Sequence, residues 1–328
     1  MKDNGVMKRN VITAVASVFL VLAIVSAVVL SLRNKDYKPK IIFMPKEYSE
    51  FTTDFWVLMM NGAKAAAQEL DVDLVVLAPE REVEYEVQQQ YILDALELDP
   101  TAVVLSPCSL TETYEYARKI EESGIPLVLV DSRMEEEAGA CVVSTDNVHA
   151  GAIMGEYLAE KMGDDDYIGI IAHVKGISTA VEREEGVRQG LGEYEDRIVD
   201  VVFSNSDYDI AYEQTQKMLE EHPEITMLAG LNEYSAVGAA RAIRDMGRTD
   251  IMMIGFDSSI EEIQLLEEGI FDAIVVQYPF NMGYLGVLNA CNLARGETVQ
   301  HDVDSGTSLI LKEDLYKEEN QKNLFPFN

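Results

Sequence analysis

Short apolar runs alternate with longer amphipathic stretches along most of this chain, and this alternation limits the folds open to it. Runs that are apolar throughout are typical of strands covered on both faces. Between them, residues such as Phe55, Leu58, Met59 and Ala63 recur at helical spacing. The repetition of strand, helix and strand predicts an α/β fold with parallel sheets and helical crossovers.

The predicted strands and helices fall into two blocks, about 40–146 and 147–277. The predicted strands are 41–44, 74–77, 102–105, 127–130, 168–172, 201–203, 227–229, 252–254 and 273–276, with another near 308–311. The best-defined helices are 54–70, 178–191, 210–221, 234–246 and 281–295. A chain of 328 residues exceeds what one core usually supports. We therefore expect two Rossmann-like lobes, each with its own parallel sheet.

An uncharged segment of 22 residues, 11–32, precedes both blocks. It is long enough to span a bilayer as a helix, so we expect an N-terminal transmembrane helix that anchors the protein. A cleaved signal peptide is the alternative, because Val25-Ser26-Ala27 fits a cleavage site. In that case the protein is secreted after cleavage.

The charge and the motif content exclude several classes of function. The net charge is −32, from 58 acidic and 26 basic residues, and such a surface repels nucleic acid. The four histidines stand in no HExxH or GxSxG motif, and no strand is followed by a nucleotide-binding glycine loop. The three cysteines form no CxxC pair. The sequence favours a binding protein over an enzyme and predicts no metal or cofactor.

Polar and aromatic residues gather where the predicted strands end. In open α/β sheets the ligand lies beyond the carboxyl ends of the strands, so these residues are candidates for ligand contact. The candidates that follow strands are Ser106, Asp131, Ser132, Arg133, Asn232, Phe256, Asp257 and Gln277. Those near helix starts are Thr53, Phe55, Trp56, Arg183 and Tyr208.

This set of side chains suits a neutral polyhydroxylated ligand. A sugar hydroxyl both donates and accepts, while aspartate accepts, arginine donates, and asparagine and glutamine do both. Flat aromatic rings pack against the apolar face of a sugar ring. The sequence therefore predicts a sugar or a related polyol as the ligand.

Several short motifs, in their order and spacing, resemble the periplasmic sugar-binding proteins of the ribose-binding type. They are Asp54-Phe55-Trp56, Asn61-Gly62-Ala63, Gly124-Ile125-Pro126 leading to Asp131, Ser144-Thr145-Asp146-Asn147, Glu182-Arg183, Gly255-Phe256-Asp257 and Gln277. The resemblance covers about 40–311 and implies the type 1 periplasmic binding protein fold. Ligand-contact positions that depart from the residue types of ribose binders are Thr53, Trp56, Ser106, Ser132 and Tyr208.

The resemblance also implies the domain organisation. Three hinge crossovers are expected near Asp146-Asn147, Gln277-Tyr278 and Ser305-Gly306. The expected first lobe is 35–146 with 278–305, and the second is 147–277 with 306–313. Segment 1–34 is then the membrane anchor or signal, and 314–328 is a C-terminal tail.

The function implied by the resemblance is that of an extracytoplasmic solute-binding protein. The lobes would close on a monosaccharide or polyol and present it to the permease of an ABC transporter. A membrane-tethered sugar-sensing partner of a sensor kinase or chemoreceptor is the alternative. The resemblance places the large domain outside the cytoplasm, although basic residues follow segment 11–32 and the positive-inside rule alone would keep it inside.

Overall fold

Two six-stranded sheets organise the part of the chain that the computed structural model describes, residues 38–48 and 54–324. The strands are β1 (Lys40–Met44), β2 (Asp73–Val76), β3 (Ala102–Leu105), β4 (Leu127–Val130), β5 (Cys141–Ser144), β6 (Ile168–Ala172), β7 (Ile198–Phe203), β8 (Met227–Gly230), β9 (Met252–Phe256), β10 (Ala273–Gln277), β11 (Asp302–Asp304) and β12 (Thr307–Leu311). The helices are α1 (Asp54–Leu70), α2 (Tyr85–Glu97), α3 (Tyr114–Glu122), α4 (Asn147–Lys161), α5 (Ser178–Leu191), α6 (Tyr208–Glu221), α7 (Glu233–Met246), α8 (Ile260–Glu268), α9 (Pro279–Ala294) and α10 (Glu318–Leu324).

The two sheets have the same topology. The first has the order β11-β5-β4-β3-β1-β2, and the second has the order β12-β10-β9-β8-β6-β7. All pairings are parallel except that of β10 with β12. The predicted α/β fold with two parallel-dominated lobes is confirmed. Two strands were missed, β5 and the short edge strand β11, whose sequence, Asp-Val-Asp, contains no apolar run.

Both faces of each sheet are covered, which explains why the strands are apolar throughout. In β4, Val128 and Val130 pack into one core cluster, and Leu127 and Leu129 pack into another on the opposite face. Successive residues of a strand point to opposite faces, so each needs an apolar side chain here. Two further clusters cover the faces of the second sheet.

The chain passes between the lobes three times, after β5, after β10 and between β11 and β12. The first two passages exchange helices between the lobes. Helix α4 follows a strand of the first sheet but packs against α5 of the second lobe. Helix α9 follows a strand of the second sheet but packs against α1 of the first.

Glycines allow these exchanged helices to pack at backbone distance. A Cβ atom on Gly151 of α4 would lie 2.2 Å from the carbonyl oxygen of Arg183 in α5. A Cβ on Gly186 of α5 would lie 2.1 Å from the carbonyl oxygen of Val148 in α4. The seam between α1 and α9 is similar, since a Cβ on Gly283 would lie 1.9 Å from the oxygen of Met59. The helix that carries Arg183 is therefore positioned by main-chain contact.

Two sequence predictions concern the ends of the chain. The predicted membrane segment, 11–32, lies outside the described residues, and no helix within them is both long and apolar enough to cross a bilayer. The predicted C-terminal tail, 314–328, includes α10. Leu315 and Leu324 from this region pack into a core cluster of the second lobe.

The close glycine contacts between α4 and α5 predict that a larger residue there destabilises the protein. Gly151→Ala should lower the free energy of unfolding by about 1–3 kcal/mol, because the methyl group overpacks a backbone that cannot yield locally. This loss should exceed the gain of up to about 1 kcal/mol that alanine brings to a helix. Urea denaturation measures the difference. Gly163→Ala is the control, since its Cβ would meet only the Asp166 side chain, at 3.3 Å. Equal stability of the two variants would contradict the role of the seam.

Candidate ligand-binding site

The carboxyl ends of the strands of both lobes face a narrow cavity between the lobes. Residues from the first lobe, the second lobe and the hinge line it together. They are Lys46, Phe55, Trp56, Glu82, Asp131, His173, Thr179, Arg183, Asn232, Glu233, Tyr234, Asp257 and Gln277. Such a cavity between two lobes is a typical place for a small ligand.

Asp131 is the central acceptor of the first lobe. It follows β4 with a φ of 64°, in the left-handed region. Its Oδ2 accepts from Lys46 Nζ at 2.7 Å, Ser132 Oγ at 2.8 Å and Ser106 Oγ at 3.2 Å. Burial alone would raise the pKa of Asp131, but the charge and hydrogen bond of Lys46 outweigh it and hold the pKa below its usual value. Oδ1 makes no hydrogen bond to the described residues and is available to a ligand.

Arg183 is the buried cation of the second lobe, with 2% of its surface exposed. Its Nε donates to Asn147 Oδ1 at 2.9 Å, and Nη1 donates to the carbonyl oxygen of Leu231 at 2.8 Å. Its Nη2 donates to Gln277 Oε1 at 3.3 Å, and the guanidinium lies 3.8 Å from the centre of the Phe256 ring. Each Nη atom carries a second N–H, which these bonds leave for a ligand.

Asp257 occupies the place in the second lobe that Asp131 occupies in the first. It follows β9, the counterpart of β4, and its φ of 94° is again left-handed. Its Oδ1 accepts from Gln277 Nε2 at 2.6 Å, and its Oδ2 accepts from the backbone N–H of Glu233 at 3.0 Å. Burial raises the pKa of Asp257 above its usual value, against the opposing charge of Arg183. Each oxygen retains a lone pair that a ligand hydroxyl can use.

Hydrogen bonds between the lobes hold the cleft closed in this structure. Glu82 of the first lobe accepts from Trp56 Nε1 at 2.9 Å and from Ser206 Oγ of the second lobe. Tyr234 Oη of the second lobe donates to Glu47 Oε1 of the first at 2.8 Å. In these two contacts, a hydroxyl of the second lobe donates to a carboxylate of the first, and Arg81 of the first lobe also pairs with Asp207 of the second at 3.4 Å.

The predicted site residues divide by their placement. Those that line the cavity are Phe55, Trp56, Asp131, Arg183, Asn232, Asp257 and Gln277. Ser106 and Ser132 support the carboxylate of Asp131, while Phe256 lies against the guanidinium of Arg183.

Two other predicted residues, Tyr208 and Arg133, do not line the cavity. Tyr208 lies in a neighbouring groove that also contains Tyr234. Arg133 forms an ion pair with Asp302 at 2.7 Å in a groove along the crossovers. Thr53 lies outside the described residues.

The sequence reasoning missed part of the lining. The missed residues are Lys46, Glu82, His173, Thr179, Glu233 and Tyr234. Three of them had a usable signal, since His173 directly follows β6, Lys46 stands two residues after β1, and Glu233 directly follows the predicted Asn232. Glu82 lies in the loop that follows β2, but six residues beyond the end of the strand.

Known proteins resemble this chain over most of its length. Residues 41–298 match the sequence profile of the periplasmic binding protein domain. The ribose import binding protein of Escherichia coli (strain K12) is 26% identical over 265 residues, which cover 81% of this chain and 89% of that protein. The D-ribose/D-allose-binding protein of Pseudomonas aeruginosa is 26% identical over 276 residues, covering 81% and 86%.

Solved structures give the same picture. A sugar transporter from Clostridium phytofermentans is 39% identical, with a TM-score of 0.78 over 83% of this chain and 98% of that one. An ABC transporter solute-binding protein from Agrobacterium vitis, solved with D-fucose, is 25% identical, with a TM-score of 0.83 over 87% and 100%. The relatives found are substrate-binding transport proteins and not enzymes. As the resemblance in its motifs predicted, the chain belongs to the periplasmic binding protein family.

Proposed function

We propose that this protein closes on a neutral monosaccharide or related polyol outside the cytoplasm and presents it to an ABC importer. The observation that carries the proposal is that hydrogen-bond donors and acceptors inside the cavity still have bonding positions for a ligand. Arg183 retains N–H donors, while Asp131 and Asp257 retain acceptor positions. A sugar hydroxyl can use both kinds of group at once.

The balance of charge in the cavity disfavours an anionic ligand. The carboxylates of Glu82, Asp131, Glu233 and Asp257 line it against two cations, one of which, Lys46, is paired with Asp131. An anionic ligand such as a sugar phosphate or a sugar acid would meet a surplus of negative charge at short range in a poorly solvated site.

Aromatic side chains supply the apolar part of the wall. The rings of Phe55 and Trp56 meet edge to face, with centroids 4.8 Å apart. Both are largely buried, and the indole N–H of Trp56 is fixed by Glu82. Rigid rings held this way can pack against the C–H face of a sugar without a large loss of side-chain entropy.

The relatives support both the ligand class and the importer. Those in Escherichia coli and Pseudomonas aeruginosa are named for ribose and allose, and the Agrobacterium vitis structure contains D-fucose. Import appears in the name of the first, which favours transport over the sensor alternative. Segment 11–32 would then anchor the protein at the membrane or direct its export.

The ligand class can be tested by calorimetry with the full chain purified in mild detergent. We expect micromolar binding of a pentose, hexose or polyol, equivalent to about −8 kcal/mol. The uronic acid and phosphate derivatives of the same sugar serve as matched anionic controls and should bind at least about tenfold more weakly. Binding of an amino acid or a nucleoside, with no response to any sugar, would refute the proposal.

Because Asp257 is a proposed ligand contact, we expect Asp257→Asn to weaken sugar binding. Asparagine tolerates the left-handed backbone but lacks the charge and one acceptor. The loss of a charge-assisted hydrogen bond, about 2 kcal/mol, should weaken sugar binding about 30-fold. Asp196→Asn, an exposed change in the same lobe, is the control. Equal affinities of the two variants would remove Asp257 from the site.

If the lobes close on the ligand, Tyr234→Phe should weaken sugar binding. The variant loses the hydrogen bond to Glu47 across the cleft, so the closed state is less populated and sugar binding should weaken about tenfold. Tyr212→Phe is the control, because its hydroxyl bonds Asp245 within the second lobe.

Small-angle scattering separates closure from a change at the site itself. Saturating sugar should reduce the radius of gyration of the wild-type protein and bring Tyr234→Phe to the same final value. If saturating sugar leaves the wild-type radius unchanged, ligand binding does not close the lobes.

A further inference from the structure

His173 is a buried polar residue of the cavity that neither the motifs nor the strand-end analysis selected. It directly follows β6, and 3% of its surface is exposed. Its Nε2 lies 2.9 Å from Thr179 Oγ1. Its Nδ1 is buried and has no hydrogen-bond partner in the described part of the chain. Buried polar atoms are nearly always paired, so an unpaired nitrogen in the wall of a ligand cavity indicates a partner on the ligand.

The surroundings of His173 determine what that nitrogen can do. Burial, together with the positive charges of Arg183 and Lys46, holds the pKa of His173 well below its usual value. The ring is therefore neutral and has one N–H and one lone pair. Among the described residues, Thr179 Oγ1 can accept an N–H on Nε2, whereas Nδ1 has no partner that could accept one, so the favoured tautomer has its lone pair on Nδ1. In that tautomer Nε2–H donates to Thr179 Oγ1 and fixes the plane of the ring.

We propose that Nδ1 of His173 accepts a hydrogen bond from one hydroxyl of the bound sugar and so selects sugars that carry a hydroxyl at that position. This assignment rests on the proposed function.

Two substitutions at this position test the acceptor. His173→Phe keeps a flat ring but removes both nitrogens, and it should weaken binding of the best sugar by about 10- to 100-fold. His173→Asn can place its Oδ1 near the position of Nδ1, and it should recover most of that loss. His149→Phe is the control, since His149 is exposed on α4. Thermal unfolding verifies that each variant is folded.

A series of deoxy sugars identifies the hydroxyl concerned. For one member of the series, the wild-type protein should lose about the same factor in affinity as it loses through His173→Phe. The His173→Phe variant should bind that deoxy sugar and the parent sugar equally well. A substitution that acted only by disturbing the fold would weaken all members of the series alike.

Nitrogen NMR gives a readout that does not depend on affinity. The chain has four histidines, so His173 can be assigned by comparison with His173→Asn. We expect Nδ1 to be unprotonated without sugar and its resonance to shift when the parent sugar saturates the site.

The outcomes separate the two proposals. If the wild-type protein binds no sugar, the proposed function fails and this assignment fails with it. If it binds sugar while His173→Phe binds equally well, or if Nδ1 carries the proton or does not shift, only the assignment to His173 is overturned.

Discussion

A single buried guanidinium connects the cavity to the hinge, and much of the structure is arranged to keep it paired. Removing a cation from water costs several kcal/mol unless the fold supplies partners. Arg183 finds them in Asn147, the first residue after the first crossover, and in Gln277, the last before the second. Gln277 also accepts from Thr145, which approaches Ser305 of the third crossover at 3.4 Å. One network therefore fixes the relative positions of all three crossovers and the floor of the cavity.

The lobes also contact each other directly, and these contacts affect how much free energy a ligand must supply to close them. Tyr234 and Ser206 each donate to a carboxylate of the opposite lobe, and such bonds contribute about 1.5–3 kcal/mol each when formed. Shifting a two-state equilibrium from 1:99 to 99:1 takes about 5.5 kcal/mol of differential affinity. Contacts between the lobes raise the population of the closed state before any ligand binds, so a small ligand with few hydroxyls needs a smaller differential affinity to complete closure. Closure then follows from the cavity and the contacts beside it together.

The sequence predicted the fold because strands covered on both faces produce short apolar runs, and here these runs alternate with stretches of helical periodicity. It located Asp131, Asn232 and Asp257 because parallel strands bring their carboxyl ends to one edge. The same rule applied to His173, which directly follows β6, but a lone histidine suggests no chemistry until its buried, unpaired nitrogen is seen. The rule points to the loop after β2 but not to Glu82, because this residue lies six positions beyond the strand and reaches the cleft only through the path of the loop. The sequence also could not show which side chains of a strand-end cluster face the cavity. Arg133 was among the candidates, but its guanidinium pairs with Asp302 instead.

The acidic cleft limits which interactions can stabilise the closed state. Closure brings Glu47 and Glu82 of the first lobe toward Glu233 and Asp257 of the second, and like charges at short range repel. The two hydroxyl contacts between the lobes described above relieve this by placing a hydroxyl donor against a carboxylate. A neutral polyol provides several more hydroxyls of the same kind in a compact body. Its binding would therefore extend the chemistry that the closed cleft already uses, whereas an anion would add to the repulsion that closure must overcome.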